Sequence, residues 1–153
     1  LSATLGLALA FEPPEPGIMA RPPRPPSAPL LSRFVLWRIA LMSVLHGAAA
    51  LGLFHWALAA GRDIETARTL VVGLLVVGQT FYLFNVRYLH MTSFSLRGAM
   101  GTRPVLLAIG ILVAAQLLFT YAPFMQAIFD TRPLRVSDGL LIVGIGAAMM
   151  GLM

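Results

Sequence analysis

The residues best suited to chemistry in this sequence are amides placed inside apolar runs. Gln79 falls near the middle of one run, and Asn85 follows about two helical turns later. An amide offers a carbonyl oxygen that could help coordinate a cation, together with two N–H donors. Uncompensated polar groups are costly in hydrocarbon, so such residues turn toward a bundle interior, a pathway or a partner. The competing reading is a hydrogen bond between two helices, worth about 1 kcal/mol. The residues themselves favour the helix–helix bond for Gln79. Gln116 and Thr120, on a later run, read the same way, with the helix–helix bond favoured.

Other chemistry is scarce. Cys is absent, which excludes a disulfide framework and a thiolate metal site. No phosphate-binding Gly loop, HExxH pair or Ser-His-acid set occurs, so no catalytic residue is assigned. His46 and His55 share one apolar run but stand nine residues apart, which puts them on different helix faces, so they read as packing or interface residues. His90 reads as an interface residue, and no metal-ligand set is legible. Ser43, Gly47 and Ala50 form a small-residue stripe at helical spacing, a packing feature that lets another helix approach closely.

Membrane-spanning helices must position these groups. Mean hydropathy is +0.84, only 11% of residues are charged, and every basic residue is Arg. A soluble domain of 153 residues could not hide so much apolar surface in one core. The expected fold is all-α, a polytopic transmembrane helix bundle. Apolar runs predict complete spans over about 34–60, 69–89 and 104–122, with a partial span over 138–153. Trp37 and Trp56 suit the two interfaces of the first span, and Pro104 suits a helix start. The connection 61–68 makes the first two spans an antiparallel hairpin. The run 1–11 is too short to span, so it and the last run read as parts of truncated helices, and the chain as a segment of a longer protein. Ala8-Leu9-Ala10 imitates a signal-peptide cleavage site, but no basic segment precedes it.

The loop 12–33 is rich in Pro and Arg. Pro13 and Pro14 end the preceding helix, and Pro22-Pro23-Arg24-Pro25-Pro26 predicts a stiff polyproline spacer. Arg counting orients the bundle. Arg21, Arg24, Arg33 and Arg38 group with Arg87, Arg97 and Arg103, against Arg62, Arg68, Arg132 and Arg135 interleaved with acids. The Arg-richer side is cytoplasmic, so loops 12–33 and 91–103 are expected there. The positive charge serves orientation, and no nucleic-acid partner is expected.

The stretch Phe11-Glu12-Pro13-Pro14, then Ile18-Met19-Ala20-Arg21-Pro22-Pro23-Arg24, resembles the cytoplasmic loop between helices six and seven of type II P-type cation-transporting ATPases. That family reads Phe-x-Pro at the end of helix six and then Met-x-Arg-Pro-Pro-Arg. The resemblance continues through Pro29-Leu30 to Trp37-Arg38, and Gly47 and Gly52 fall where the family has small residues on helix seven. It implies that residues 1–11 end helix six, that the complete spans are helices seven, eight and nine, and that 138–153 begins helix ten.

It further implies a role in ATP-driven cation transport, with the catalytic, nucleotide-binding, phosphorylation and actuator domains upstream. Mg and ATP belong to the full-length protein and no cofactor to this region. The implied partners are those domains, the lipid bilayer and the transported cation, in a bacterial plasma membrane. Gln79 followed by Asn85 matches the helix-eight ion-site motif, where calcium pumps carry Glu in place of Gln79, and the helix-six Asp falls on Ser2. The helix-six Pro that follows is Leu5 here. With two carboxylates missing, calcium is disfavoured, and a monovalent cation, a proton or a site built mainly on other helices is expected. Arg21 and Arg24 are the implied coupling contacts to the phosphorylation domain. Two other classes compete: a stand-alone membrane scaffold or channel-like protein, and part of a secondary transporter. The latter predicts internal repeats with broken helices, and the sequence shows no repeat.

Overall fold

The computed structural model describes residues 31–87 and 103–152, together with Gly6 and Ala10, with side chains over 31–83 and 105–152. The described part is all-helical. In chain order the helices are α1 (Arg33–Ala59), α2 (Ile64–Arg87), α3 (Arg103–Tyr121), α4 (Pro123–Phe129) and α5 (Val136–Gly151). Both α1 and α2 are long and apolar enough to cross a membrane, and α3 with α4 passes the same test as a pair bent by 75°. The 16 residues of α5 rise about 24 Å, short of a hydrocarbon core of about 30 Å.

Local signals set the helix ends. The hydroxyl of Ser32 accepts a hydrogen bond from Val35 N–H at 3.2 Å and caps α1. At the other end, Gly61 adopts φ +74°, where a side chain would be strained. Its N–H reaches Leu58 O and that of Arg62 reaches Ala57 O, both at 3.0 Å, so the last carbonyls of α1 are satisfied as the chain turns. Asp63 then caps α2. Its carboxylate accepts from Thr66 N–H at 3.2 Å and from the Thr66 hydroxyl at 2.7 Å. Helix α2 therefore starts at Ile64, ahead of the apolar run that begins at Thr69, and the α1–α2 connection is shorter than the sequence suggests.

Helix α2 is the centre of the bundle, packing against α1, α5 and α3. One core cluster joins Leu53 and Ala57 of α1, Ala67, Leu70 and Leu74 of α2, and Ile142 of α5. A second joins Leu83 of α2 to Val105, Ala108 and Leu112 of α3. Glycines set the closest approaches. A Cβ on Gly78 would lie 2.9 Å from Nε2 of His46, and one on Gly146 would lie 2.9 Å from both Val77 and Phe81.

The outer faces stay apolar. Val44, Leu51, Leu107 and Leu140 are each more than 60% exposed. Helices that are apolar all round belong in lipid or against further helices. Ser43 and Gly47 lie on this exposed face and Ala50 is half-buried, so the stripe on α1 is open among the described residues. Trp37 and Trp56, near opposite ends of α1, are exposed as well.

Candidate functional site

Gln79 lies on α2, the helix with the most neighbours, about 22 Å along its axis from Ile64. It is half-buried, and it has no hydrogen-bond partner among the described residues. The residue before it, Gly78, is covered by the His46 ring of α1. His46 Nδ1 lies 3.0 Å from Met42 O. A carbonyl only accepts, so that nitrogen carries the proton, and Nε2 is left as a buried acceptor without a partner. His46 is a packing residue at the α1–α2 crossing. His55 is exposed and meets only the edge of Phe54, at 6.0 Å between ring centroids.

Asn85 lies on the last turns of α2, and its side chain is outside the described residues, as is His90. Ser2, Arg21 and Arg24 also lie outside the described residues. Gln79 is therefore the one sequence-derived ion-site candidate whose side chain is described. No group of three or more His, Asp or Glu side chains converges among the described residues.

A cavity of about 400 Å³ opens between α2, α3 and α5. Thr80, Gln116 and Thr120 contribute its polar groups, on walls that include Gly73, Phe81 and Ile142. The Thr80 hydroxyl donates to Val76 O at 2.8 Å, and Gln116 Nε2 reaches the Thr120 hydroxyl at 3.4 Å. These groups are neutral, and a cation held without carboxylates binds weakly. Gln116 also sits over Gly73, 3.7 Å from where a Cβ would stand, so it fills the approach of α3 to α2. Thr80 was not legible as a cavity residue, because its hydroxyl is satisfied by its own helix.

Most of the described charges cluster at one end of the bundle. Arg62 donates two hydrogen bonds to Asp138, at 3.0 and 3.1 Å. Asp138 is buried and also accepts from Arg135 N–H at 3.2 Å, at the positive end of α5. Close by, Arg132 N–H donates to the Thr69 hydroxyl at 3.2 Å, and its guanidinium lies 3.8 Å from the Asp63 carboxylate. The hydroxyl of Thr66 holds the Asp63 carboxyl below its ordinary value. Arg62, Arg132 and Arg135 thus share one end, and Arg38 and Tyr82, 5.7 Å apart, mark the α1–α2 contact nearer the other. The Arg62–Asp138 pair was not legible in the sequence because Arg62 read as a loop charge and Asp138 as the first residue of a span. The signal available was an acid at a predicted helix start and an Arg just beyond another helix's end.

The sequence model of the family described as "Cation transporting ATPase, C-terminus" matches residues 1–153. The chain is 41% identical over 145 residues to the "Probable cation-transporting ATPase F" of Mycobacterium tuberculosis, covering 95% of this chain and 16% of that protein. It is 34% identical over 140 residues to the "Cation-transporting ATPase pma1" of Synechocystis, covering 87% of this chain and 15% of that protein. To the "Calcium-transporting ATPase" of Bacillus subtilis it is 27% identical over 142 residues, covering 92% and 16%. The chain thus spans about one sixth of the length of these relatives. A family match over the whole chain, on an all-helical bundle with apolar spans, makes this chain a member of the cation-transporting ATPase C-terminal family.

Proposed function

We propose that the chain forms the C-terminal membrane part of an ATP-driven cation pump, acting as helix scaffold and lining part of the ion pathway. The family match over the whole chain carries this reading. In the full-length protein, Mg and ATP act on upstream domains that hydrolyse ATP through an aspartyl-phosphate, and this region hosts no catalytic residue. Loop 12–33 faces the cytoplasm, and Arg21 and Arg24 on its stiff backbone couple the phosphorylation domain to the helices. The exposed stripe Ser43, Gly47 and Ala50 receives an upstream helix at close range. The membrane is the bacterial plasma membrane, in keeping with the bacterial relatives. A stand-alone scaffold or channel is not favoured, because in the relatives the matching region is a small part of a longer chain.

Within this reading Gln79 supplies a neutral oxygen ligand, with Asn85 and Ser2 as companion positions. Its support is a half-buried amide on the central helix that has no partner among the described residues. A neutral ligand set suits a monovalent cation or a proton better than calcium. The test is cation-stimulated ATPase activity of the full-length protein with Gln79→Leu and Gln79→Glu. Loss of one ligand lowers apparent cation affinity about tenfold, the equivalent of 1.4 kcal/mol, at near-normal abundance. Gln79→Glu shifts ion preference or pH dependence. Unchanged cation dependence in both variants assigns Gln79 to packing instead.

A further inference from the structure

We infer that α4 is an interfacial helix whose Phe124 and Ile128 insert into the lipid boundary at the end of α3, an inference that rests on the membrane-spanning reading of the bundle. The first support is direction. The 19 residues of α3 rise about 28 Å, nearly a full hydrocarbon thickness, and α4 leaves it at 75°. If α3 runs across the bilayer, α4 runs along its surface. Seven residues are too few to span. Ala122 makes the bend, held in an extended conformation by the Pro that follows.

The second support is depth. The excursion folds back onto the last turn of α3 and is not raised above it. The Thr131 hydroxyl donates to Phe119 O at 3.0 Å, and the Tyr121 hydroxyl donates to Leu134 O at 3.0 Å. Gln126 Nε2 donates to Thr120 O at 2.8 Å, satisfying a carbonyl freed by the end of the helix. The rings of Phe119 and Phe129 are 5.4 Å apart. These four ties hold α4 level with the end of α3, where the hydrocarbon gives way to headgroups.

The third support is sidedness. Met125 and Gln126 face the protein and are half-buried. Phe124 and Ile128, one turn apart on the outer side, are 54% and 70% exposed. Exposed Arg132 and Arg135 follow within a few residues, and Tyr121 precedes. An apolar ridge flanked by Arg and a Tyr with a polar tip is the composition of a membrane boundary. The occupant is therefore lipid, with acyl chains against the ridge and phosphates near the Arg side chains.

The test uses nitroxide labels at Cys introduced for Phe124, Ile128 and Leu117 in a Cys-free full-length protein, in vesicles of phosphatidylethanolamine and phosphatidylglycerol. This region contributes no Cys of its own, and Ala127, exposed on the same side of α4, is a further labelling position if a bulky replacement disturbs folding. Positions 124, 127 and 128 should relax more with oxygen than with a water-soluble nickel chelate, at a depth near the headgroup–acyl border. Access to the chelate at these positions, or shielding from both reagents by another segment or subunit, overturns the inference. Leu117 separates this failure from a broader one: chelate access there would overturn the spanning reading of α3 itself.

Discussion

Arg62 and Asp138, 76 residues apart in sequence, meet in a two-pronged ion pair that ties the α1–α2 turn to the start of α5. The acid is almost wholly buried, while about a quarter of the Arg side chain remains accessible. Removing one partner of such a pair strands the other charge.

Arg62→Ala is expected to destabilise the protein by about 3 kcal/mol, the low end for a buried pair because Arg62 is partly exposed. Asp138→Asn should cost less, since it leaves no buried anion. Replacing both together by Met and Leu should cost less than the two single changes summed. Thermal unfolding in detergent reads all these variants, and strict additivity would show that the pair is not coupled.

The contact of Gly78 with His46 predicts a suppressor. Gly78→Ala places a Cβ 2.9 Å from the imidazole and should cost about 1–3 kcal/mol by overpacking. His46→Ala, combined with it, should recover most of that loss. The measurement is the unfolding midpoint of the single and double variants. A Gly78→Ala protein as stable as the parent would show that α1 and α2 do not meet there.

Asp63 predicts a pH dependence with a definite sign. Its carboxyl is held below the ordinary value, chiefly by the Thr66 hydroxyl. A lowered acid contributes stability above its unfolded value and loses it as pH falls through the folded one. The cap on α2 should therefore weaken only in distinctly acid solution. Thr66→Val should move the Asp63 titration upward, as read from carboxyl chemical shifts, and an unmoved titration would remove the hydroxyl as its cause.

Topology gives a further expectation. A Cys placed at Ser27 should react with an impermeant label from the cytoplasm and one at Ala60 from the opposite face, because the two flanks of α1 differ in Arg content. Labelling of both from one face would contradict the orientation.

The helices were legible where one physical signal dominates. Long apolar runs marked α1, the body of α2 and α3, since no other element hides so many consecutive apolar residues in a bilayer. The first turn of α2 was not legible, because Asp63, Glu65 and Arg68 read as loop charges although acids suit a helix start. Helix α4 was hidden by Pro123, which reads as a stop and here opens a new helix at an angle. The close-approach glycines were the hardest. Ser43, Gly47 and Ala50 have helical spacing, yet the tight contacts fall at Gly78 and Gly146, and helical period alone cannot say which face a neighbour occupies. For the candidate site, a polar residue in an apolar run pointed to Gln79, while Arg62 and Asp138 required knowledge of which turn meets which helix.

The two glycines of α2 also set how that helix is seated. Gly73 faces Ile142 of α5 and Gly78 faces His46 of α1, five residues and therefore about 140° apart around the axis. Turning α2 by a single residue would drive Val77 or Gln79 into the imidazole and Val72 or Leu74 into Ile142. The helix is seated like a shaft keyed on two sides, and turning it requires both of these side chains to move. The direction of Gln79, next to Gly78, is tied to that seat, so turning it would first displace the imidazole of His46.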